Sequence, residues 1–172
     1  MIEQYDNFLS RKDLERVIED TNDVQWRIQT SNGKGLDFLE YDVTDQEYYN
    51  SYLKGQIDKV VKTPNRLERI YFNGQWPGRD GTVHIDNCEQ TVLLYIVPCL
   101  PEWGGFTQLL QGSEQIIIPP VQNRLIVFDG NIPHKGYSFS HQACPMRITL
   151  AFKLKWILHS MSTIRIVLQL VI

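Results

Sequence analysis

The chain has 172 residues, 42% of them hydrophobic and 22% charged, with a net charge of −3 and a pI near 5.8. That size fits one soluble domain burying about two-thirds of its unfolded surface, and the acidic balance excludes the basic footprint of a nucleic-acid-binding protein. Three cysteines, Cys88, Cys99 and Cys144, form neither an even framework nor a CxxC pair, which points to a reducing, cytoplasmic setting rather than secretion.

The opening MIEQYDNFLSRKDLERV has no basic region followed by an apolar one, so no signal peptide is expected. Ser10 opens S-R-K-D, a capping box with Asp13 in the usual place of Glu, and Leu14, Val17 and Ile18 form one stripe of the helix that follows. Trp26-Arg27-Ile28 and Phe38-Leu39-Glu40-Tyr41 read as strands around the turn Ser31-Asn32-Gly33-Lys34-Gly35. A second helix is expected from Thr44, where T-D-Q-E fits the capping box. Tyr49, Tyr52, Leu53, Ile57, Val60 and Val61 then recur at helical spacing, and Pro64 lies past the end.

From residue 67 the texture changes to short strands and Gly/Pro turns. Eight strands are expected: Leu67–Phe72, Thr82–Asp86, Thr91–Val97, Thr107–Leu110, Gln115–Ile118, Arg124–Phe128, Lys135–Phe139 and Arg147–Leu154. Their spacing indicates a sandwich or barrel, so the fold class is mainly β (α+β), a jelly roll or double-stranded β-helix with N-terminal helices packed on it. One domain over 1–172 is expected: helix-rich support in 1–66, a jelly-roll core in 67–155 and an apolar tail in 156–172. The tail carries His159 and Arg165 within 17 residues, fewer than the roughly 20 apolar residues a membrane span needs. It reads as an edge strand or short helix, and its closing IRIVLQLVI is a candidate homo-oligomer contact.

The chemistry is concentrated in His84-Ile85-Asp86. On a strand, residues two apart leave the same face, so His84 and Asp86 emerge side by side where the turn Pro77-Gly78-Arg79-Asp80-Gly81 enters the sheet. His134 follows the apolar run Arg124–Phe128 and the turn Asp129-Gly130-Asn131, 48 residues after Asp86. Two imidazoles and one carboxylate on one face suit a non-haem Fe(II) centre and leave three coordination positions open. Arg147 opens R-I-T-L-A-F, where alternation places Arg147, Thr149 and Ala151 on one face and Ile148, Leu150 and Phe152 on the other. Its planar fork suits bidentate capture of a dicarboxylate; a structural ion pair with Asp or Glu is the other reading.

From Tyr71 to Phe152 the chain resembles the Fe(II)/2-oxoglutarate-dependent dioxygenases, particularly their prolyl-4-hydroxylase-like branch. The resemblance is carried by H-I-D (84–86), T-V-L-L-Y-I-V (91–97), W-G-G-F-T (103–107), P-P-V-Q-N-R-L-I-V-F-D (119–129), His134 and R-I-T-L-A-F (147–152). It implies His84, Asp86 and His134 as iron ligands, with Arg147 and Tyr95 holding the distal carboxylate of 2-oxoglutarate. Tyr71 is a further candidate in the co-substrate or substrate pocket. Fe(II), 2-oxoglutarate, O2 and ascorbate are the implied cofactors. The implied reaction hydroxylates an unactivated C–H bond, a prolyl residue of a peptide being one candidate, and releases succinate and carbon dioxide. Asp86, where a small residue would admit halide, favours hydroxylation over halogenation.

Two departures from the family pattern stand out. Phe106 follows the paired glycines where an acidic residue is common, and the connection from His134 to Arg147 is longer than in some relatives. That connection holds His141, read as a solvated loop residue, as is His159. Trp76 and Trp103 read as loop aromatics at the mouth, either contacting substrate or packing over the barrel end, and Cys88 as a small buried hydrophobe. Two alternatives stay open: a small-molecule hydroxylase on the same scaffold, and a non-catalytic, cupin-like binding module.

Overall fold

Two antiparallel sheets organise the computed structural model, which describes residues 2–30, 37–143 and 145–157. The strands are β1 (Ile2–Tyr5), β2 (Arg27–Thr30), β3 (Asp37–Asp42), β4 (Asn65–Gln75), β5 (Gln90–Tyr95), β6 (Thr107–Gln111), β7 (Glu114–Ile118), β8 (Leu125–Asp129), β9 (His134–Gly136) and β10 (Arg147–Trp156). The large sheet runs β1-β8-β5-β10-β4-β3-β2 and the small one β7-β6-β9. This is the expected jelly roll, with β10 central in the large sheet.

Alternation along the strands sorts their side chains into two cores. Ile148, Leu150, Phe152 and Leu154 of β10 join Ile70 and Phe72 of β4 and Val92 and Leu94 of β5 against the helical layer. That layer supplies Val17 from α1 (Arg11–Glu19), Tyr49 and Leu53 from a π-helical segment (Tyr48–Leu53), and Ile57 from α2 (Lys54–Ile57). On the other face a smaller core forms between the sheets, from Tyr95, Ile126 and Phe128 against Leu109 and Ile118. Covered on both sides, β8 reads as an unbroken apolar run.

Ser10 caps α1 as expected: its Oγ accepts from the Asp13 backbone N–H at 3.2 Å and donates to Oδ2 of Asp13 at 2.6 Å. The second helix departs from expectation. Thr44 turns into the sheet instead of capping, accepting from the Ile70 N–H at 2.9 Å and donating to its carbonyl at 3.2 Å. It thereby satisfies β4 backbone groups beyond the end of β3. Helical turns begin only at Glu47 and take the π form from Tyr48, with Tyr49, Leu53, Ile57 and Val61 buried while Tyr52 is 46% exposed.

Residues 1–66, expected to be helix-rich, also supply three strands. β1 pairs with β8, and β3 and β2 extend the sheet beyond β4. The expected strand Thr82–Asp86 reduces to a single bridge between His84 and His134, and β9 is shorter than the expected 135–139 strand. Among the described residues no helix is long and apolar enough to cross a membrane. The tail beyond residue 157, with His159 and the oligomer expectation attached to it, lies outside the described residues, as do Ser31–Gly35 and Cys144.

Candidate metal centre

His84 and His134 face each other across that bridge, exchanging backbone hydrogen bonds of 3.0 and 2.8 Å with ring centroids 4.3 Å apart. Asp86, two residues on, is tied by its N–H to the Gly130 carbonyl at 2.8 Å. A side chain at residue 130 would bring its Cβ within 2.3 Å of the Cys88 carbonyl oxygen, so only glycine lets the turn after β8 come this close. The result is that one ligand atom from each of His84, Asp86 and His134 lies within 4.8 Å of the others. Nε2 of His84 is 3.7 Å from Oδ1 of Asp86, and Nε2 of His134 is 3.3 Å from Oδ2.

The rings are oriented for coordination. Nδ1 of His84 lies 2.9 Å from the Thr82 carbonyl, and Nδ1 of His134 lies 2.8 Å from the Ile132 carbonyl. A carbonyl can only accept, so the proton sits on Nδ1 and the Nε2 lone pair faces Asp86. Burial, reinforced by the neighbouring His134, pushes His84 below the ordinary imidazole value and favours the neutral form that binds metal. Burial alone would raise the Asp86 carboxyl. The neighbouring His134 and the Lys153 cation outweigh that effect and hold it well below the usual carboxylate range. Two imidazoles with Nε2 turned inward and an ionised carboxylate are a donor set that fits a divalent non-haem metal.

Arg147, 3% exposed, enters the same cavity from β10. Its Nε donates to the Gly105 carbonyl at 2.8 Å, Nη1 to Oε1 of Gln75 at 2.7 Å and Nη2 to Oγ1 of Thr107 at 3.1 Å. All three partners are neutral, so among the described residues this buried guanidinium has hydrogen bonds but no counter-charge. The expected alternative, a structural ion pair, is not what these residues form. Gly105 is required here: its φ is +80°, and a Cβ would meet the Phe139 ring at 2.4 Å. Tyr95 is buried beside Arg147, whose guanidinium carbon lies 5.3 Å from the ring centroid. The Tyr95 hydroxyl donates to Oγ1 of Thr107 at 2.6 Å, which places it behind Thr107 rather than on the cavity wall.

The cavity has a volume of about 320 Å³, and its wall includes His84, Asp86, His134, Arg147, Tyr71 and Lys153. Tyr71 lies between two cations, the Arg69 guanidinium carbon 4.7 Å and the Lys153 ammonium 5.7 Å from its ring centroid. Oγ1 of Thr149 and Oδ1 of Asn73 are buried there without a partner among the described residues, opposite each other across β10 and β4. Sequence reasoning missed Gln75, Thr107, Thr91, Asn73 and Lys153. For Lys153 the signal was available: two residues past Ala151, it continues the face that begins at Arg147.

The remaining candidates stand apart from the ligand cluster. Trp103 packs on Phe139 at 5.7 Å between centroids, Phe106 stacks on Tyr137 at 4.2 Å, and Trp76 is 56% exposed. His141 is an exposed loop residue. Cys88 is a buried thiol donating to the Gln90 carbonyl at 3.3 Å.

No family model matches the chain, and no curated protein matches it by sequence. Solved structures do. A 2OG-Fe(II) oxygenase family oxidoreductase from Burkholderia pseudomallei superposes with a TM-score of 0.72 at 12% identity, over 90% of this chain and 84% of that one. A prolyl hydroxylase from Trichoplax adhaerens, in complex with a hypoxia-inducible-factor peptide fragment, gives 0.68 at 15% identity over 90% and 83%. HygX from Streptomyces hygroscopicus, with nickel, 2-oxoglutarate and hygromycin B bound, gives 0.65 at 11% identity over 91% and 83%. With the site and the topology in agreement, the chain has the double-stranded β-helix fold of the 2-oxoglutarate–Fe(II) oxygenases.

Proposed function

We propose that the chain is an Fe(II)- and 2-oxoglutarate-dependent dioxygenase that hydroxylates an unactivated C–H bond. One observation carries this reading: a single cavity holds two imidazole Nε2 atoms, a carboxylate and a buried guanidinium with no counter-charge among the described residues. His84, Asp86 and His134 would hold Fe(II), which with O2 supplies oxidising power as 2-oxoglutarate is decarboxylated. One oxygen atom then ends in succinate and the other in the hydroxylated substrate.

The chain's own residues bind and orient. A buried charge without a partner costs several kcal/mol of solvation, and the distal carboxylate of a dicarboxylic acid would relieve that cost at Arg147. Thr107, held by Tyr95, and Gln75 keep the guanidinium fork in place to receive it. The Thr82 and Ile132 carbonyls fix which nitrogen of each ring points inward.

For the primary substrate, a prolyl residue in a peptide is the first candidate, supported by the peptide seated on the Trichoplax adhaerens structure. A small polar molecule is the second, supported by a cavity wall that includes Lys153, Arg69 and Glu40, and by hygromycin B in HygX. Ascorbate as reductant and a reducing, cytoplasmic setting belong to the same proposal. The setting rests on the cysteine pattern and on the free thiols of Cys88 and Cys99.

Anaerobic visible spectroscopy tests the reading. A charge-transfer band that needs both Fe(II) and 2-oxoglutarate is expected. His134→Ala should abolish it, and Arg147→Ala should shift its appearance to higher 2-oxoglutarate. The absence of any band would sink the dioxygenase reading and leave a cupin-like binding module.

A further inference from the structure

Asp86 has more partners than coordination requires. Lys153 lies on the cavity face of β10 with its side chain 12% exposed, and its ammonium donates to Oδ2 of Asp86. Thr91 Oγ1 donates to the same oxygen at 2.5 Å and lies 3.4 Å from the ammonium. Oδ2 therefore carries two donors. Oδ1 has none among the described residues and lies 3.7 Å from Nε2 of His84. Asp86 is the carboxylate that Lys153 contacts, so the pair neutralises two buried charges that would each be costly alone.

We propose that Lys153 is the internal counter-charge of the metal site, a positioning residue that holds Asp86 by Oδ2, presents Oδ1 to the metal, and lowers metal affinity by sharing the carboxylate. The proposal rests on the metal-site reading above. In the metal-free chain the ion pair spares Asp86 a bare buried charge and keeps the carboxylate turned toward the two imidazoles. An arriving dication meets a carboxylate already paired with a cation, and like charges in a buried site repel strongly. Thr91, on the neighbouring strand β5, keeps its own grip on Oδ2, so removing the ammonium frees charge without releasing the carboxylate.

The test is Mn(II) titration by calorimetry on the full chain without 2-oxoglutarate, with melting temperatures recorded with and without Mn(II). Lys153→Met should bind Mn(II) about tenfold tighter or better, because a like charge has left the ligand carboxylate. Its metal-free form should melt lower than wild type, and Mn(II) should restore more of the melting temperature than it adds to wild type. Lys153→Gln keeps an N–H donor and removes the charge, so it should tighten binding too and serves if the Met variant does not fold. Lys153→Arg keeps both and should stay near wild type. Unchanged or weakened affinity in the Met and Gln variants, with metal-free and metal-loaded melting falling equally, would show a purely structural ion pair and overturn the proposal alone. No Mn(II) uptake by the wild type would overturn the metal-site reading and this proposal with it.

Discussion

The two faces of β10 divide the labour of the molecule. Ile148, Leu150, Phe152 and Leu154 point into the helical layer, where they pack in the apolar core. Arg147, Thr149 and Lys153 point the opposite way, into a cavity where guanidinium, hydroxyl and ammonium sit with His84, Asp86 and His134. Successive residues thus alternate between holding the fold and serving the site, because a strand turns its side chains over at every step. The contrast teaches that stability and function are separable here at single-residue spacing. Substitutions one position apart should fail in different assays.

Four substitutions press on that separation. The largest effect is expected from His134→Ala, which removes a proposed ligand at the small-sheet side of the cavity. Metal affinity should fall by more than the roughly 100-fold that losing a ligand-orienting partner costs, with the far-ultraviolet circular dichroism unchanged; unfolding of this variant would break the comparison. Next, on the helical face, Phe152→Ala should cost about 3–5 kcal/mol in a urea melt while the folded fraction keeps its 2-oxoglutarate affinity. Arg147→Lys retains the charge but loses the fork that Gly105, Gln75 and Thr107 hold, and should raise the KM for 2-oxoglutarate by about tenfold with little change in stability. The smallest effect is expected from Thr149→Val, which removes a buried hydroxyl that has no partner among the described residues. It should raise stability by about 1 kcal/mol, read as a higher urea midpoint, and a loss of that size or more would mean that the hydroxyl is bonded.

Much of the site was legible because its signals are local. His84 and Asp86 stand two apart before a turn, His134 follows a buried run and a second turn, and Arg147 opens an alternating strand. What was not legible depended on partners far away in the chain. The ring of neutral acceptors around Arg147 comes from Gln75, Gly105 and Thr107, on other elements 72, 42 and 40 residues away. Thr44 looked like a helix cap because the local pattern fits one, but the edge of β4 competed for its hydroxyl and won. β1 was missed because Ile2–Tyr5 has no strong alternation, and pairing with β8 stabilises it instead. Likewise His84 and Asp86 converge without a continuous strand, since the bridge to His134 and the Gly130 carbonyl hold them.

By itself the sequence determined which side chains share a face and where the turns fall, since period and turn chemistry are properties of neighbouring residues. That was enough to read a jelly roll with His84, Asp86, His134 and Arg147 at its mouth. Only the tertiary structure decided that Arg147 has no counter-charge among the described residues, that Lys153 grips the Asp86 carboxylate, and that strands from the first 66 residues extend the large sheet on both sides. Those outcomes depend on which distant strands pair and in what register, and chain neighbours carry no record of that.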